Sequence, residues 1–278
     1  MNTSLLVATQ QLLDALGHRE IPFGTIYSDM EPAKGYGPKE SLSVVEAVEQ
    51  GWDMAKLFAN FTCFIGSIWL ARKKHMPAYI AENKFGCIGG SYYCGFSSSP
   101  AQKNIIAQYV STGSPSMGPG ERYFGTPEGM LRFLDAIVPP PAPAKYCVTK
   151  PLDLFAEGEK PLLVTFFARP EVICGLSALT TFTTDSYDSV LSNFCPGCGS
   201  MVAWPLRMLA QGRECAVLGI SDPSCRKFLK TDEQIFTVPL SLYERMLDAM
   251  PESLLHQHTW QTVYKKVARS NNAWVESA

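Results

Sequence analysis

The sequence has few charged residues. Only 18% of its 278 residues are Asp, Glu, Lys or Arg, whereas soluble domains usually carry roughly 25%. The net charge is −2 at pH 7, and no cluster of Lys and Arg is long enough to indicate a phosphate-binding surface. A surface that binds a phosphate backbone is therefore not expected, and we predict no nucleic-acid partner.

The sequence also lacks a long apolar run. Its most apolar segment, residues 57–71, covers about 15 residues, which is shorter than the roughly 20 that span a bilayer. The N-terminal segment has no basic residues ahead of its apolar ones and carries an acid, Asp14, within a helical pattern. It does not resemble a signal peptide, so we expect a cytoplasmic protein with no membrane partner.

Cysteine, by contrast, is abundant. The chain has nine cysteines, an odd number, and no export signal, so a disulfide framework is not expected. In a reducing compartment such cysteines more often bind a metal, react, or lie buried as small apolar side chains.

Local patterns predict an α/β or α+β fold. Leu and Ala at helical spacing, followed by Gly17, predict a helix at the N-terminus, and residues 21–28 are typical of a strand. We expect further helices over 41–57, 64–72, 101–112 and 127–138. The glycine-dense segment 82–96 is expected to be a loop, and the proline cluster at 138–145 predicts a stiff linker.

Similar patterns recur in the two halves of the chain. Segment 120–127 resembles 232–239 at a separation of 112 residues (239 − 127), and the strand at 21–28 resembles residues 160–168. Gly66-Ser67 likewise resembles Gly199-Ser200. We therefore predict two pseudo-repeated halves, packed together as mixed sheets with flanking helices. Their bounds are 1–137 and 146–250, with the linker at 138–145 and a C-terminal tail or helix at 251–278.

The segment NFCPGCGS contains the spacing CxxC at Cys195 and Cys198. A turn with Pro and Gly can bring two thiolates onto one ion or cluster, and the helix expected after it would favour the thiolate form. One CxxC supplies half of a four-ligand site. Because Cys63 precedes the matching Gly-Ser of the first half and Cys87 follows its helix, we predict a metal site of Cys63, Cys87, Cys195 and Cys198.

The other cysteines are weaker candidates. Cys94 is a reserve ligand, and Cys225 could take the place of Cys63 or Cys87. Cys147, Cys174 and Cys215 lie in patterns that are more typical of buried structural residues.

The segment around Cys87 also predicts cofactor contacts. Gly89 and Gly90 would let backbone N–H groups approach a cluster sulfide or another anion. Tyr92 and Tyr93 would line the same pocket and tune a cluster's potential by hydrogen bonding and burial, with core packing as the alternative.

Segments 62–72, 86–96, 194–200 and 232–247 together resemble domain-of-unknown-function family 169. The resemblance covers roughly residues 5–250, and the positions that match its motifs are Cys63, Cys87, Gly89, Gly90 and Cys198. Cys195 is an addition within the last cysteine motif. The family occurs mostly in anaerobic bacteria and archaea, and the resemblance supports the cysteine set without implying a reaction.

Three functions remain open from the sequence. The first is an iron–sulfur protein, with a [4Fe–4S] cluster, in redox or electron transfer; its ligands would be dispersed over loops, and zinc is the alternative metal. The second is a metal-free dithiol oxidoreductase that uses Cys195 and Cys198. The third is a binding protein for a small molecule or anion with structural cysteines. The corresponding partners are a redox protein or a small-molecule ligand.

Overall fold

A mixed α/β fold is built around one seven-stranded sheet with helices on both faces. The computed structural model describes residues 3–39, 42–53, 56, 61–84, 86–115 and 117–276. The strands are β1 (Phe23–Ser28), β2 (Ala78–Ala81), β3 (Tyr146–Pro151), β4 (Leu163–Ala168), β5 (Val190–Leu191), β6 (Ala216–Gly219) and β7 (Gln234–Pro239).

The helices, within the residues described, fall into three kinds. The α-helices are α1 (Thr3–Leu16), α2 (Val44–Glu49), α3 (Phe64–Lys74), α4 (Ile88–Tyr93), α5 (Pro100–Val110), α6 (Pro127–Ile137), α7 (Pro170–Thr184), α8 (Trp204–Ala210), α9 (Leu240–Ala249) and α10 (His258–Glu276). A π-helix, Gly199–Ala203, leads directly into α8, and 3-10 helices lie at Leu152–Leu154, Pro223–Phe228, Met250–Glu252 and Leu254–His256.

The strands lie in the order β2-β3-β1-β4-β7-β6-β5. Only the β5–β6 pair is parallel among these neighbours. At the centre of the sheet β1 and β4 run antiparallel, with Gly24 opposite Val164. On either side of this central pair, β3 lies against β1 and β7 lies against β4, each also antiparallel.

Two hydrophobic layers cover the two faces of the sheet. Alternation along the strands separates them: Phe167 and Ile235 belong to one layer, whereas Phe166 and Phe236 belong to the other. The first layer contains side chains from α3 to α6, the π-helix and α8, and the second contains those of α1, α7, α9 and α10. Seven of the nine cysteines belong to the first layer or pack against it, so most of the thiols lie on this face of the sheet.

Several predicted elements are confirmed. Helix α1 ends at Leu16, and Gly17 follows it with φ +60°, a conformation that suits glycine. Strand β1 and helices α3, α5 and α6 also lie where the patterns predict them. The helix predicted over 41–57 is too long, because α2 ends at Glu49 and Gly51 turns the chain with φ +68°; residues 41, 54, 55 and 57 lie outside the described part.

The predicted mixed sheet with flanking helices is confirmed, but it is one sheet rather than two. Strand β3, which follows the proline cluster, lies between β1 and β2. Residues 120–126 contain no strand, whereas their predicted counterpart at 232–239 contains β7. The two segments that match in sequence at a separation of 112 residues therefore have different secondary structures.

The proline cluster is fastened to the first half of the chain. The N–H of Ala142 donates to the carbonyl of Gly95 over 2.9 Å, and the carbonyl of Lys145 accepts from the N–H of Glu82.

Of the described helices, none is long and apolar enough to cross a membrane.

Candidate functional site

A partly open cavity of about 360 Å³ lies on the first face of the sheet. Its wall includes residues from α4, α5, the segment just before α3, the loop before the π-helix and the 3-10 helix Pro223–Phe228. Four of the wall residues are cysteines that lie far apart in the sequence: Cys63, Cys87, Cys198 and Cys225. We call this space the cysteine cavity. Most of its remaining wall is apolar and aromatic.

Cys63 occupies the position just before α3. Its backbone is extended, as is usual at an N-cap, but its side chain makes no capping hydrogen bond. The side chain is half-buried, and the thiol interacts with that of Cys225. Gly66, in the first turn of α3, lets the ring of Phe228 approach closely, since a Cβ on this glycine would lie 3.0 Å from that ring.

Cys87 caps the short helix α4. Its sulfur accepts a hydrogen bond from the N–H of Gly90 over 3.3 Å. A Cβ on Gly90 would lie 2.9 Å from Ile80, so the glycine lets α4 lie close to β2. The segment predicted as a loop therefore contains a helix. Backbone N–H groups of Gly90 and Gly89 reach the Cys87 sulfur, whereas their predicted approach to a cluster sulfide or another anion stays a prediction.

Cys198 and Cys195 have different environments. Cys198 lies on the cavity wall immediately before the π-helix. Cys195 is not among the described residues of the wall. It is fully buried, and its backbone N–H donates a hydrogen bond to the hydroxyl oxygen of Ser221 over 2.9 Å. A Cβ on Gly199 would lie 2.1 Å from the Cys195 sulfur, which shows that this thiol is packed beneath the π-helix.

The π-helix is joined to the end of β6 through Ser200. The hydroxyl oxygen of Ser200 accepts from the N–H of Ile220 over 2.9 Å and donates to the carbonyl of Pro196. Gly219 leaves room for this side chain, because a Cβ there would lie 2.0 Å from it. Such single-turn π-helices are often found at functional sites, and this one positions Cys198.

Cys225 lies in the first turn of the 3-10 helix Pro223–Phe228. Asp222 caps that helix by accepting from the N–H of Ser224 over 2.8 Å. The Cys225 thiol donates to Oδ2 of the same carboxylate over 3.5 Å. Sequence reasoning considered Cys225 only as a substitute ligand and missed Asp222. The Asp-Pro-Ser pattern at 222–224, typical of a helix start, was the available signal.

The cavity also has an acidic side, formed by Asp222 and Glu121. Burial and the nearby charge of Asp222 raise the pKa of Glu121 to about 7. Burial, with the charges of Asp222 and Glu121, raises the pKa of Tyr123 to about 12. Glu121 lies in segment 120–127, which was predicted to match 232–239, and its place on the wall depends on the loop after α5.

The surroundings of Cys87, Cys195, Cys198 and Cys225 raise the pKa of each thiol and so favour its protonated form. Burial raises the pKa of Cys87 to about 11 and raises that of Cys198 well above the usual value. The pKa of Cys195 is raised for the same reason. Contact with Cys63, followed by burial, raises the pKa of Cys225. A metal that binds here would have to displace these protons.

The remaining predicted residues divide between the wall and the core. Gly89, Gly90 and Tyr93 line the cavity. Tyr92 is fully buried instead, and its hydroxyl donates to the carbonyl of Leu134 over 2.7 Å, as expected for core packing.

Of the cysteines outside the cavity, Cys94, Cys147 and Cys215 are fully buried, whereas Cys174 is exposed. The thiols of Cys94 and Cys147 interact with each other.

The described residues contain no group of three or more His, Cys, Asp or Glu side chains arranged to hold a metal ion. The structure therefore brings three of the four predicted ligands, Cys63, Cys87 and Cys198, to one wall, without arranging them for coordination.

Comparison with known proteins yields one match. The model of the DUF169 family, described as uncharacterised ArCR, matches residues 11–249. No curated protein matches the chain significantly. No solved structure does so either.

Proposed function

This chain belongs to the DUF169 family, and we propose that its cysteine cavity holds an iron–sulfur cluster with a redox or electron-transfer role. The observation that carries the proposal is that four cysteines from four separate segments line the same cavity. Thiolate sulfur is the usual protein ligand of iron–sulfur clusters, which most often take four such ligands. If these cysteines served only as small apolar side chains, nothing in that role would place four of them around one cavity.

The proposed ligands are Cys63, Cys87, Cys198 and Cys225. Cys225 replaces Cys195 of the sequence prediction, because the Cys195 sulfur is packed beneath Gly199. The thiols would turn inward on binding and lose their protons, so cluster binding should strengthen as pH rises. A bound cluster would supply one-electron transfer, and the N–H of Gly90 and the apolar wall would tune its potential.

Anaerobic reconstitution with iron and sulfide tests the proposal. Iron, acid-labile sulfide and the visible spectrum are measured on the wild type and on Cys225→Ser, Cys195→Ser and the exposed control Cys174→Ser. We expect a coloured cluster that Cys225→Ser loses and the other two variants keep. Loss in Cys195→Ser with retention in Cys225→Ser would restore the ligand set predicted from sequence. Absence of iron from the wild type would refute the proposal.

Two further readouts separate the alternatives. Colourless protein with bound zinc would make the site structural, because zinc has no redox chemistry. A redox role requires that the cluster accept and release an electron reversibly, which electron paramagnetic resonance during a redox titration measures.

A metal-free binding function is the second candidate. The observation in its favour is the largely apolar wall of a cavity whose volume lies within the roughly 300–1,000 Å³ of small-molecule sites. Ligand binding that survives replacement of all four wall cysteines by serine would support it. The dithiol oxidoreductase is less favoured, because the Cys195 sulfur is packed beneath Gly199 and Cys195 is not a residue of the described wall.

We also propose that the sheet derives from an internal duplication, with bounds that differ from those predicted. Strands β1, β3 and β2 occupy the places on one side of the sheet that β4, β7 and β6 occupy on the other. Thr25 pairs with Thr149 as Thr165 pairs with Thr237. The first unit would then end after β3, at about residue 152, rather than at 137.

A further inference from the structure

Two of the wall cysteines form a pair of interacting thiols. Cys63 and Cys225 are 162 residues apart in the sequence (225 − 63), yet their side chains contact each other. The contact arises because the 3-10 helix Pro223–Phe228 packs against the start of α3, with Phe228 against Gly66. Neither thiol is bonded to another cysteine in this structure. We call these two residues the thiol pair.

The thiol pair is the accessible one among the interacting thiols. Both of its members line the partly open cavity, and the Cys63 side chain is half-buried. The other interacting pair, Cys94 and Cys147, is fully buried and does not belong to the described wall. A small solute in the cavity can therefore reach the first pair at Cys63, beside which Cys225 is buried, whereas Cys94 and Cys147 are not on the described wall.

The two members of the pair are held unequally. The Cys225 thiol is directed by Asp222, which it contacts at 3.5 Å, and it lies on a short helix that this same residue caps. The Cys63 side chain makes no capping bond to α3, so it can rotate about its Cα–Cβ bond. One fixed thiol and one adjustable thiol can meet the narrow geometry of a disulfide with little backbone movement.

We propose that Cys63 and Cys225 form a reversible disulfide by exchange with an external disulfide. The thiolate of Cys63 attacks one sulfur of the external disulfide and releases its other half as a thiolate. Cys225 then attacks the mixed disulfide at the Cys63 sulfur and releases the second half. One Sγ–Sγ bond forms, the external S–S bond is broken, and two thiols of the oxidant are released with the two protons.

The disulfide would regulate the cavity. It would tie up two of the four proposed cluster ligands, so the oxidised protein would bind no cluster until a dithiol reduces it. This consequence rests on the proposed function. The disulfide itself rests only on the contact between the two thiols and on their exposure to the cavity.

The experiment uses the metal-free, fully reduced chain. It is incubated with hydroxyethyl disulfide, remaining thiols are alkylated without denaturant and then with it, and the disulfides are located by peptide mass spectrometry. We expect one Cys63–Cys225 link in most chains, reversed by dithiothreitol. Cys174→Ser should form the same internal link as the wild type and lack only a mixed disulfide at position 174, because Cys174 is exposed and is not a residue of the described wall.

Cys225→Ser and Cys63→Ser each provide a second reading. Either variant should stop at a mixed disulfide on the remaining member or stay reduced, with no internal link. A wild-type chain that keeps native far-ultraviolet circular dichroism yet shows stable mixed disulfides at Cys63, or a link between other cysteines, would overturn the proposal. If the Cys63–Cys225 disulfide forms but the reduced protein binds no iron, the cluster proposal is refuted and the disulfide proposal stands. If the reduced protein binds iron but the Cys63–Cys225 disulfide does not form, the disulfide proposal is refuted and the cluster proposal stands.

Discussion

The hydroxyl oxygens of Thr165 and Thr237 lie 3.0 Å apart between β4 and β7, and both side chains are fully buried. Across the central strand pair, the hydroxyl oxygens of Thr25 and Thr149 lie 2.8 Å apart between β1 and β3. In each pair one threonine donates to the other, which satisfies two polar groups in a sheet that is otherwise packed with apolar side chains.

Replacing one threonine of such a pair should cost more than replacing both. Thr165→Val leaves the Thr237 hydroxyl buried without its partner, and we expect a loss of about 1–3 kcal/mol in the free energy of unfolding. The double variant with Thr237→Val should recover part of that loss. Urea unfolding of a double-mutant cycle measures the coupling, and the cycle at Thr25 and Thr149 should give a coupling of the same sign. Additive effects in both cycles would contradict the expectation.

Arg72 forms the largest buried ion-pair network in the described chain. Its guanidinium contacts Glu20 at 2.5 Å and Glu233 at 3.0 Å, and it lies over the ring of Phe167. Arg72→Met would leave the almost fully buried Glu233 with only the exposed Lys230 as a cationic partner. We expect a loss of up to about 3–5 kcal/mol in the free energy of unfolding.

Chemical denaturation measures the effect of Arg72→Met. The matched control is Arg213→Met, which removes an exposed contact to Asp188 and should leave the unfolding midpoint unchanged. Equal unfolding midpoints for the two variants would show that the buried network makes no net contribution to stability.

Gly95 fastens the proline cluster to the end of α4. It has φ +80°, and a Cβ there would lie 2.4 Å from the carbonyl oxygen of Pro140. Gly95→Ala should therefore destabilise the protein through both backbone strain and a backbone clash, by more than the roughly 1 kcal/mol of strain alone.

Gly212→Ala provides the comparison for strain without a clash. Gly212 has φ +73°, but a Cβ there meets no atom within 4 Å. Thermal unfolding of both variants should show the larger decrease in Tm for Gly95→Ala. The opposite order would mean that the proline cluster moves aside readily and is not held firmly against Gly95.

Glu121 should make stability depend on pH. Its folded-state pKa of about 7 lies above the value of about 4.3 in an unfolded chain, so the folded state binds more protons between these values. The free energy of unfolding should therefore fall as pH rises through this window. Glu121→Gln, which cannot ionise, should show a shallower fall. Urea titrations at several pH values measure both slopes, and identical slopes would contradict the raised pKa.

The elements with strong local signals could be predicted from the sequence. Helix α1 has a continuous apolar face and a glycine behind it, and β1 is a short apolar run, so both depend on neighbours in the chain. The short helix α4 escaped prediction because its two glycines are unfavourable in a helix. Its packing against β2 and the Cys87 cap stabilise it, and these contacts are tertiary.

The sequence alone determined the cysteine content, the low charge and the periodic patterns that define the helices and buried strands, because each depends on residues close together in the chain. Tertiary structure decided which cysteines share a cavity. Cys195 lies only three positions from Cys198, yet the π-helix turns its thiol into the core. Cys225 meets Cys63 at a separation of 162 positions in the chain (225 − 63), because the 3-10 helix packs on α3. Spacing in the chain specifies proximity only within a turn or two, and longer contacts follow from how the layers pack on the sheet.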